Sequence, residues 1–234
     1  MKAIYMREMR AYFTTPVGYI FLIVYFLVSG AVFSYSTLYS MTADSSVYFL
    51  AMLVFSAVVL PLLTMKSFSE ERKQRTEQLL LTAPISLSGM VLAKFLAAYT
   101  VFAGAALVSS LSFLILYQYA AVKTAVLLGS LLALLLVGLA FVSIGIFMSA
   151  LTENQLAAAV LTIATHLFFL AISLLNSIIP FYWLRFILNG VSIFARFQNF
   201  TQGVFDVASL VYYLSVSAVF LFLTVRVFAK RRYD

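Results

Sequence analysis

The sequence predicts an all-α polytopic membrane protein, and three observations carry that reading. The 234 residues are 64% hydrophobic and 10% charged, with a mean hydropathy of +1.07, far from the roughly one-half apolar and one-quarter charged make-up of soluble domains. The uncharged apolar runs are each near the roughly 20 residues an α-helix needs to cross a bilayer, about twice the length of a barrel strand. The charges gather in short blocks between and after those runs. The expected architecture is a single transmembrane domain over 1–234 with six spans, an N-terminal interfacial helix, a charged helix between spans two and three, and short outer-leaflet helices between spans five and six.

The first element, 1–15, carries Tyr5, Met9 and Tyr12 on one helical face with Arg7 and Arg10 roughly opposite. This is the pattern of a helix lying in the headgroup region with its basic side toward anionic lipid. The apolar run from Val17 onward exceeds a signal-peptide core and lacks a small-x-small cleavage site, so the segment is expected to be retained. Span one, 17–39, is entered through Pro16, whose missing N–H costs nothing where a helix begins. A polar turn over 40–46, with Asp44, leads to span two, 47–65. Pro61 is expected to kink that span or loosen its last turn, acting as a hinge.

The next stretch, SEERKQRTEQLLLTAP, reads as a short amphipathic helix over 69–83. Ser69 is placed to cap its first turn, and Glu70 and Glu71 set negative charge on the positive end of the helix dipole. Glu71 and Arg75 stand at i and i+4 in the favourable order, and Leu79, Leu80 and Leu81 give the last turn an apolar surface that needs a docking partner. Pro84 ends the helix and is a second hinge candidate. A charged, capped helix held at the end of two spans is a handle for a soluble partner.

Span three, 88–117, carries Lys94 near its start and is longer than a hydrocarbon core of about 30 Å requires, so it tilts or projects. Span four, 124–150, offers Gly129, Gly138, Ser143, Gly145 and Ser149 as small surfaces for close helix contact. A tight polar connection, with Thr152 as its cap, joins it to span five, 155–178, where His166 is the only histidine of the chain. An intramembrane ionisable group is a functional candidate by default, but the apolar runs hold no acidic residue to complete a proton relay. The expected state is a neutral imidazole bonded to a backbone carbonyl or a hydroxyl. The segment 179–206 is broken by Pro180, Asn189, Gly190 and Gly203 and is expected to form two short helices dipping into, or lying on, the outer leaflet. Span six, 207–228, ends in Lys230, Arg231 and Arg232.

Charge sets the expected orientation. With six spans and the N-terminus inside, 12 of the 15 basic residues fall on the cytoplasmic side, against Lys123, Arg185 and Arg196 outside. Both termini are therefore expected in the cytoplasm. The net charge of +7 follows from this asymmetry and does not call for nucleic acid as a partner.

Several chemistries are unsupported by any motif. The chain has no glycine-rich phosphate loop ending in Gly-Lys-Ser/Thr, so ATP hydrolysis is expected elsewhere. One histidine and no cysteine do not make a common zinc signature, and no paired Ser/His, intramembrane aspartate pair or His-Glu-x-x-His helix points to a protease. No catalytic residue is assigned.

The stretch Phe68 to Glu71, Arg75-Thr76-Glu77, Leu79-Leu80, Pro84 and Lys94 resembles the signature of ABC-type exporter permeases of the second class. Arg75 stands where that family usually has glycine, and Ala93 where glycine often precedes the lysine. Toward the C-terminus, Phe200, Gly203-Val204-Phe205-Asp206 and Leu210-Val211-Tyr212-Tyr213-Leu214 are similar to the gliding-motility and copper-maturation subgroup. The resemblance covers nearly the whole chain.

The resemblance implies a permease subunit in a bacterial cytoplasmic membrane. It would pair with a second permease subunit, identical or different, and be driven by separate cytoplasmic ATPase subunits that hold the ATP and magnesium. It also implies an accessory subunit with an extracytoplasmic domain. The ATPase-coupling residues would be Glu70, Glu71, Arg72, Arg75, Thr76, Glu77, Leu79 and Leu80, with Arg7, Arg10, Glu153 and Asn154 in supporting contacts. A scaffold that recruits a cytoplasmic partner, or transmits force outward without transport, is the alternative.

Overall fold

The computed structural model describes the chain except residues 43, 77–85, 117–118, 120–122, 179–182, 184–189, 191 and 234, and the side chains of 174–178 and 233. Every regular element among the described residues is helical: α1 (Lys2–Thr14), α2 (Pro16–Phe33), α3 (Ser46–Thr64), α4 (Ser69–Lys73), α5 (Leu87–Ser110), α6 (Phe113–Leu116), α7 (Thr124–Leu151), α8 (Gln155–Ile178), α9 (Ile193–Thr201) and α10 (Val207–Tyr233). Six helical stretches are long and apolar enough to cross a membrane, built on α2, α3, α5, α7, α8 and α10. The protein is an all-α, multi-pass membrane protein.

Local chemistry explains most of the boundaries. Pro16 opens α2 at a position where no N–H is needed, and α2 continues as a π-helical stretch over Ser34–Tyr39, so the first span finishes with a wider turn than an α-helix has. Ser86 and Ser192 cap α5 and α9 by accepting the N–H of Gly89 and Ala195. Asn154 does the same for α8, its Oδ1 accepting the Leu156 N–H at 2.9 Å. The expectation that Thr152 caps this helix is therefore corrected: its hydroxyl turns to the carbonyls of Met148 and Asn154. The long third segment breaks at 111–112, where turn bonds separate α5 from α6.

The centre of the bundle is α7, which packs against α3, α5, α8, α9 and α10. Two of its glycines make the close approaches possible. A side-chain carbon at Gly138 would overlap the ring of Phe102 in α5, and one at Gly145 would overlap Thr64 in α3. By contrast α2 and α10 are the least enclosed spans.

The two ends of the bundle differ. α1, α4, the α7–α8 connection and the basic end of α10 gather at one end, where Arg231 donates to the Ala150 carbonyl at 2.8 Å. Both chain termini therefore lie at the same end. At the other end α9 rests on α7 and α8, burying Ile193, Phe197 and Phe200. Tyr213 anchors it by donating to the Ile193 carbonyl at 2.7 Å. The remainder of the expected pair of short helices, with Pro180 and Asn189, lies outside the described residues.

Candidate functional site

The site is assembled where α3 runs out. After Thr64 the chain turns through 65–68 and enters α4, a helix of five residues, SEERK. The expectation of one helix over 69–83 is corrected: it stops at Lys73 and turns over 74–76. The stop is a Schellman motif, with the Thr76 N–H on the Glu71 carbonyl at 2.9 Å and the Arg75 N–H on the Arg72 carbonyl at 3.1 Å. This motif needs a left-handed residue just past the helix end, and Arg75 takes that conformation with φ +57°. The resemblance places a glycine there, the residue that adopts such a φ without steric cost. Glu77, Leu79, Leu80, Leu81 and Pro84, which the sequence assigned to the same helix and its hinge, lie outside the described residues.

Ser69 does not cap α4; its hydroxyl bonds back to the Met65 carbonyl. The first N–H groups are instead received from outside the segment, by Ser149 of α7. Its Oγ accepts from Phe68 N at 3.0 Å and Ser69 N at 3.1 Å, while its own proton goes to the Met65 carbonyl at 3.1 Å. One buried hydroxyl thus ties the start of α4 to the central helix. By sequence Ser149 is one of several small residues of α7 suited to close helix contact.

On the opposite side α4 is held by charge. Lys94, 2% exposed, places Nζ 2.8 Å from Glu71 Oε1, 3.1 Å from Glu8 Oε1 and 2.6 Å from the Ser67 carbonyl. Three donors meet three acceptors, so the ammonium is fully satisfied, and it also lies 5.0 Å from the centre of the Phe68 ring. Arg7 completes the cluster, its Nη2 reaching Glu8 at 2.8 Å and Glu71 at 2.9 Å. Partial burial works against the Arg7 charge, but the two carboxylates outweigh it and raise its pKa. Two cations and two anions balance.

Two expectations change here. Glu71 pairs with Lys94 and Arg7, not with Arg75 at i+4, because the helix has ended before Arg75 and a buried ammonium left unpaired costs more than forgoing an exposed pair. Arg7, exposed like Arg10, is engaged by the carboxylates of Glu8 and Glu71. Glu8 and Lys94 were not among the assigned residues, and both carried a signal. Glu8 falls on the same helical face as Tyr5 and Tyr12, and Lys94 is the only charge within α5. An acid on a packing face and a lone cation in an apolar helix each need a partner. Tyr12 fastens the same helix, donating to the Leu63 carbonyl at 2.9 Å. Burial, reinforced by the charge of Glu8, pushes its phenol up and keeps it a donor.

Of the other assigned residues, Arg72 bridges to the α7–α8 connection, with Nη2 2.9 Å from Glu153 and Nη1 3.0 Å from the Leu151 carbonyl. Asn154 serves as the helix cap described above. Thr76 donates to the Glu71 carbonyl at 3.2 Å. Glu70 accepts a long 3.4 Å bond from Gln74 and faces inward. It lines a cavity of about 510 Å³ between α1 and α4 together with Glu71 and Lys66. Lys73, Gln74 and Arg75 are the exposed residues of this segment.

Pro61 and His166, expected to be separate features, meet in the bundle interior. Pro61 has no N–H, so the Ala57 carbonyl four residues earlier has no helical donor. His166 Nδ1 lies 2.8 Å from that oxygen, and Nε2 lies 3.1 Å from the Phe141 carbonyl. The ring stacks on Phe141 at 4.2 Å between centres. The expected contact with a backbone carbonyl is present, and in the tautomer that carries its proton on Nδ1 the ring gives the Ala57 oxygen the donor that Pro61 lacks. Among the described residues no group of three His, Cys, Asp or Glu side chains is placed to hold a metal ion.

Neither the protein-family models nor the curated protein sequences give a match to this chain.

Proposed function

We propose that this protein is a permease subunit of an ATP-driven exporter, moved through α4 by a separate cytoplasmic ATPase and paired with a second permease subunit. The observation that carries the reading is the mounting of α4. A helix of five residues is too short to hold itself in water. It is nevertheless fixed on three sides, to α7 by Ser149, to α5 and α1 by Glu71, and to the α7–α8 connection by Arg72.

An element so joined to several spans passes on a displacement, and a ligand that contacts it differently in two states biases the bundle between them. The exposed Lys73, Gln74 and Arg75 are the surface an ATPase groove would receive. Glu71, assigned by resemblance to coupling, acts in this reading from within, as the joint between α4 and the spans.

The chain has no cysteine, so single-cysteine probes need no background removal. Gln74→Cys is expected to cross-link, in native membranes, to a subunit bearing a phosphate-binding loop. Adding this protein to that subunit is expected to raise its ATP hydrolysis. A cross-linked partner without nucleotide motifs would replace this reading with the scaffold, and an ATPase indifferent to the subunit would end it.

A further inference from the structure

We propose that the cavity between α1 and α4 is a binding site for a phospholipid with an amine-bearing zwitterionic headgroup, of the phosphatidylethanolamine type. Its volume of about 510 Å³ lies within the range of ligand pockets, roughly 300–1,000 Å³. The wall is of mixed character. One part is ionic, and another is made by Ala11, Thr15 and Val17, the last belonging to the first span. A pocket lined both by charges and by the opening turn of a membrane-crossing helix matches a molecule that is itself polar at one end and apolar at the other.

The charges choose the headgroup. Among the described residues six side chains with formal charge line the cavity, and four of them, Arg7, Glu8, Glu71 and Lys94, neutralise one another. The remaining two are Lys66 and Glu70. Among the described residues Lys66 has no hydrogen bond or ion pair, and Glu70 has only the long bond from Gln74. One uncommitted cation and one uncommitted anion, in a single half-enclosed space, call for a ligand that carries both signs.

A phosphate diester answers Lys66, and a primary ammonium answers Glu70 with up to three N–H donors. A purely anionic headgroup leaves Glu70 facing a phosphate. A trimethylammonium headgroup brings the charge but no N–H.

The test uses the full chain purified in detergent, without any ATPase, so its result is independent of the transport reading. Native mass spectrometry and thermal-shift titrations compare palmitoyl-oleoyl phosphatidylethanolamine with the phosphatidylglycerol and phosphatidylcholine of the same chains. The ethanolamine lipid is expected to bind about tenfold more tightly than either, the scale of one charge-assisted hydrogen bond. Lys66→Ala is expected to weaken it about tenfold, and Lys66→Arg to retain it, which separates lost binding from lost folding. Glu70→Gln should erase the preference over phosphatidylglycerol. Free phosphoethanolamine is expected not to compete. Equal binding of the three lipids, preference for phosphatidylglycerol, or an unchanged response in Lys66→Ala would overturn the proposal. Full competition by phosphoethanolamine would replace the lipid with a soluble metabolite and overturn it equally.

Discussion

Nδ1 of His166 lies 2.8 Å from the carbonyl oxygen of Ala57, the acceptor that Pro61 leaves without a helical donor. A proline in one span and a histidine in another thus meet at one carbonyl, and the imidazole in its Nδ1–H tautomer supplies the N–H that the proline ring lacks.

That pairing predicts a double-mutant cycle. His166→Leu leaves the Ala57 carbonyl unpaired in the bundle interior and is expected to cost about 1–3 kcal/mol. In a Pro61→Ala background residue 61 regains its N–H, and the same histidine change is expected to cost clearly less. Thermal unfolding of the four proteins in detergent measures the coupling, and additive effects would refute it. His166→Asn, which keeps an N–H near Nδ1, should fall close to the parent.

Ser149 predicts a local effect. Ser149→Ala removes the acceptor of two buried N–H groups and a donor to the Met65 carbonyl. The expected cost is about 1–3 kcal/mol. Amide hydrogen exchange is the sharper readout, because exchange at Phe68 and Ser69 should accelerate while α10 is unaffected.

Arg75 predicts a gain. A non-glycine residue in the left-handed region costs about 1–2 kcal/mol, and glycine avoids most of it. Arg75→Gly is expected to stabilise the protein by about 1 kcal/mol, and Arg75→Val to destabilise it, as read by denaturation midpoints.

The cluster around Lys94 predicts a difference between two ways of changing one carboxylate. Glu71→Gln keeps an acceptor for Lys94 and should be tolerated with a modest loss. Glu71→Lys places three cations together, one of them buried, and is expected to cost about 3–5 kcal/mol or to prevent assembly, as measured by yield and thermal stability. Lys94→Met alone leaves Glu71 and Glu8 short of a cation, and combining it with Glu71→Gln should recover part of the loss seen in Lys94→Met.

At the far end Asp206 predicts an acid limb. The Ser209 hydroxyl, helped by the Asn199 amide and the Ala208 N–H, holds its carboxyl below the usual carboxylate range. A lowered folded-state value means the carboxylate's contribution is complete above the ordinary value, near about 4, and is lost as pH falls through its own lower one. Asp206→Asn is expected to flatten this part of the stability profile.

The spans were legible because lipid leaves an apolar helix little alternative, and the runs that open at Pro16, Thr124 and Val207 carry their own boundaries. The polar joints were less legible. Glu71 had a sequence neighbour at i+4 and a distant partner in Lys94, and only the packing of α1 and α5 shows that the distant one prevails. Ser149 looked like any small residue of a helix interface until the turn after α3 brought two N–H groups to it. The end of α4 turned on Arg75, whose left-handed backbone is one that arginine seldom takes and that its side chain does not announce.

Two of the attachments of α4, Ser149 on one flank and Lys94 on the other, make it a yoke across α7 and α5. A pull applied there strains both joints together, so the bundle has no way to yield at one while the other rests. A force on this segment would therefore reach two crossings at once, and slack in either joint would lower the torque on both.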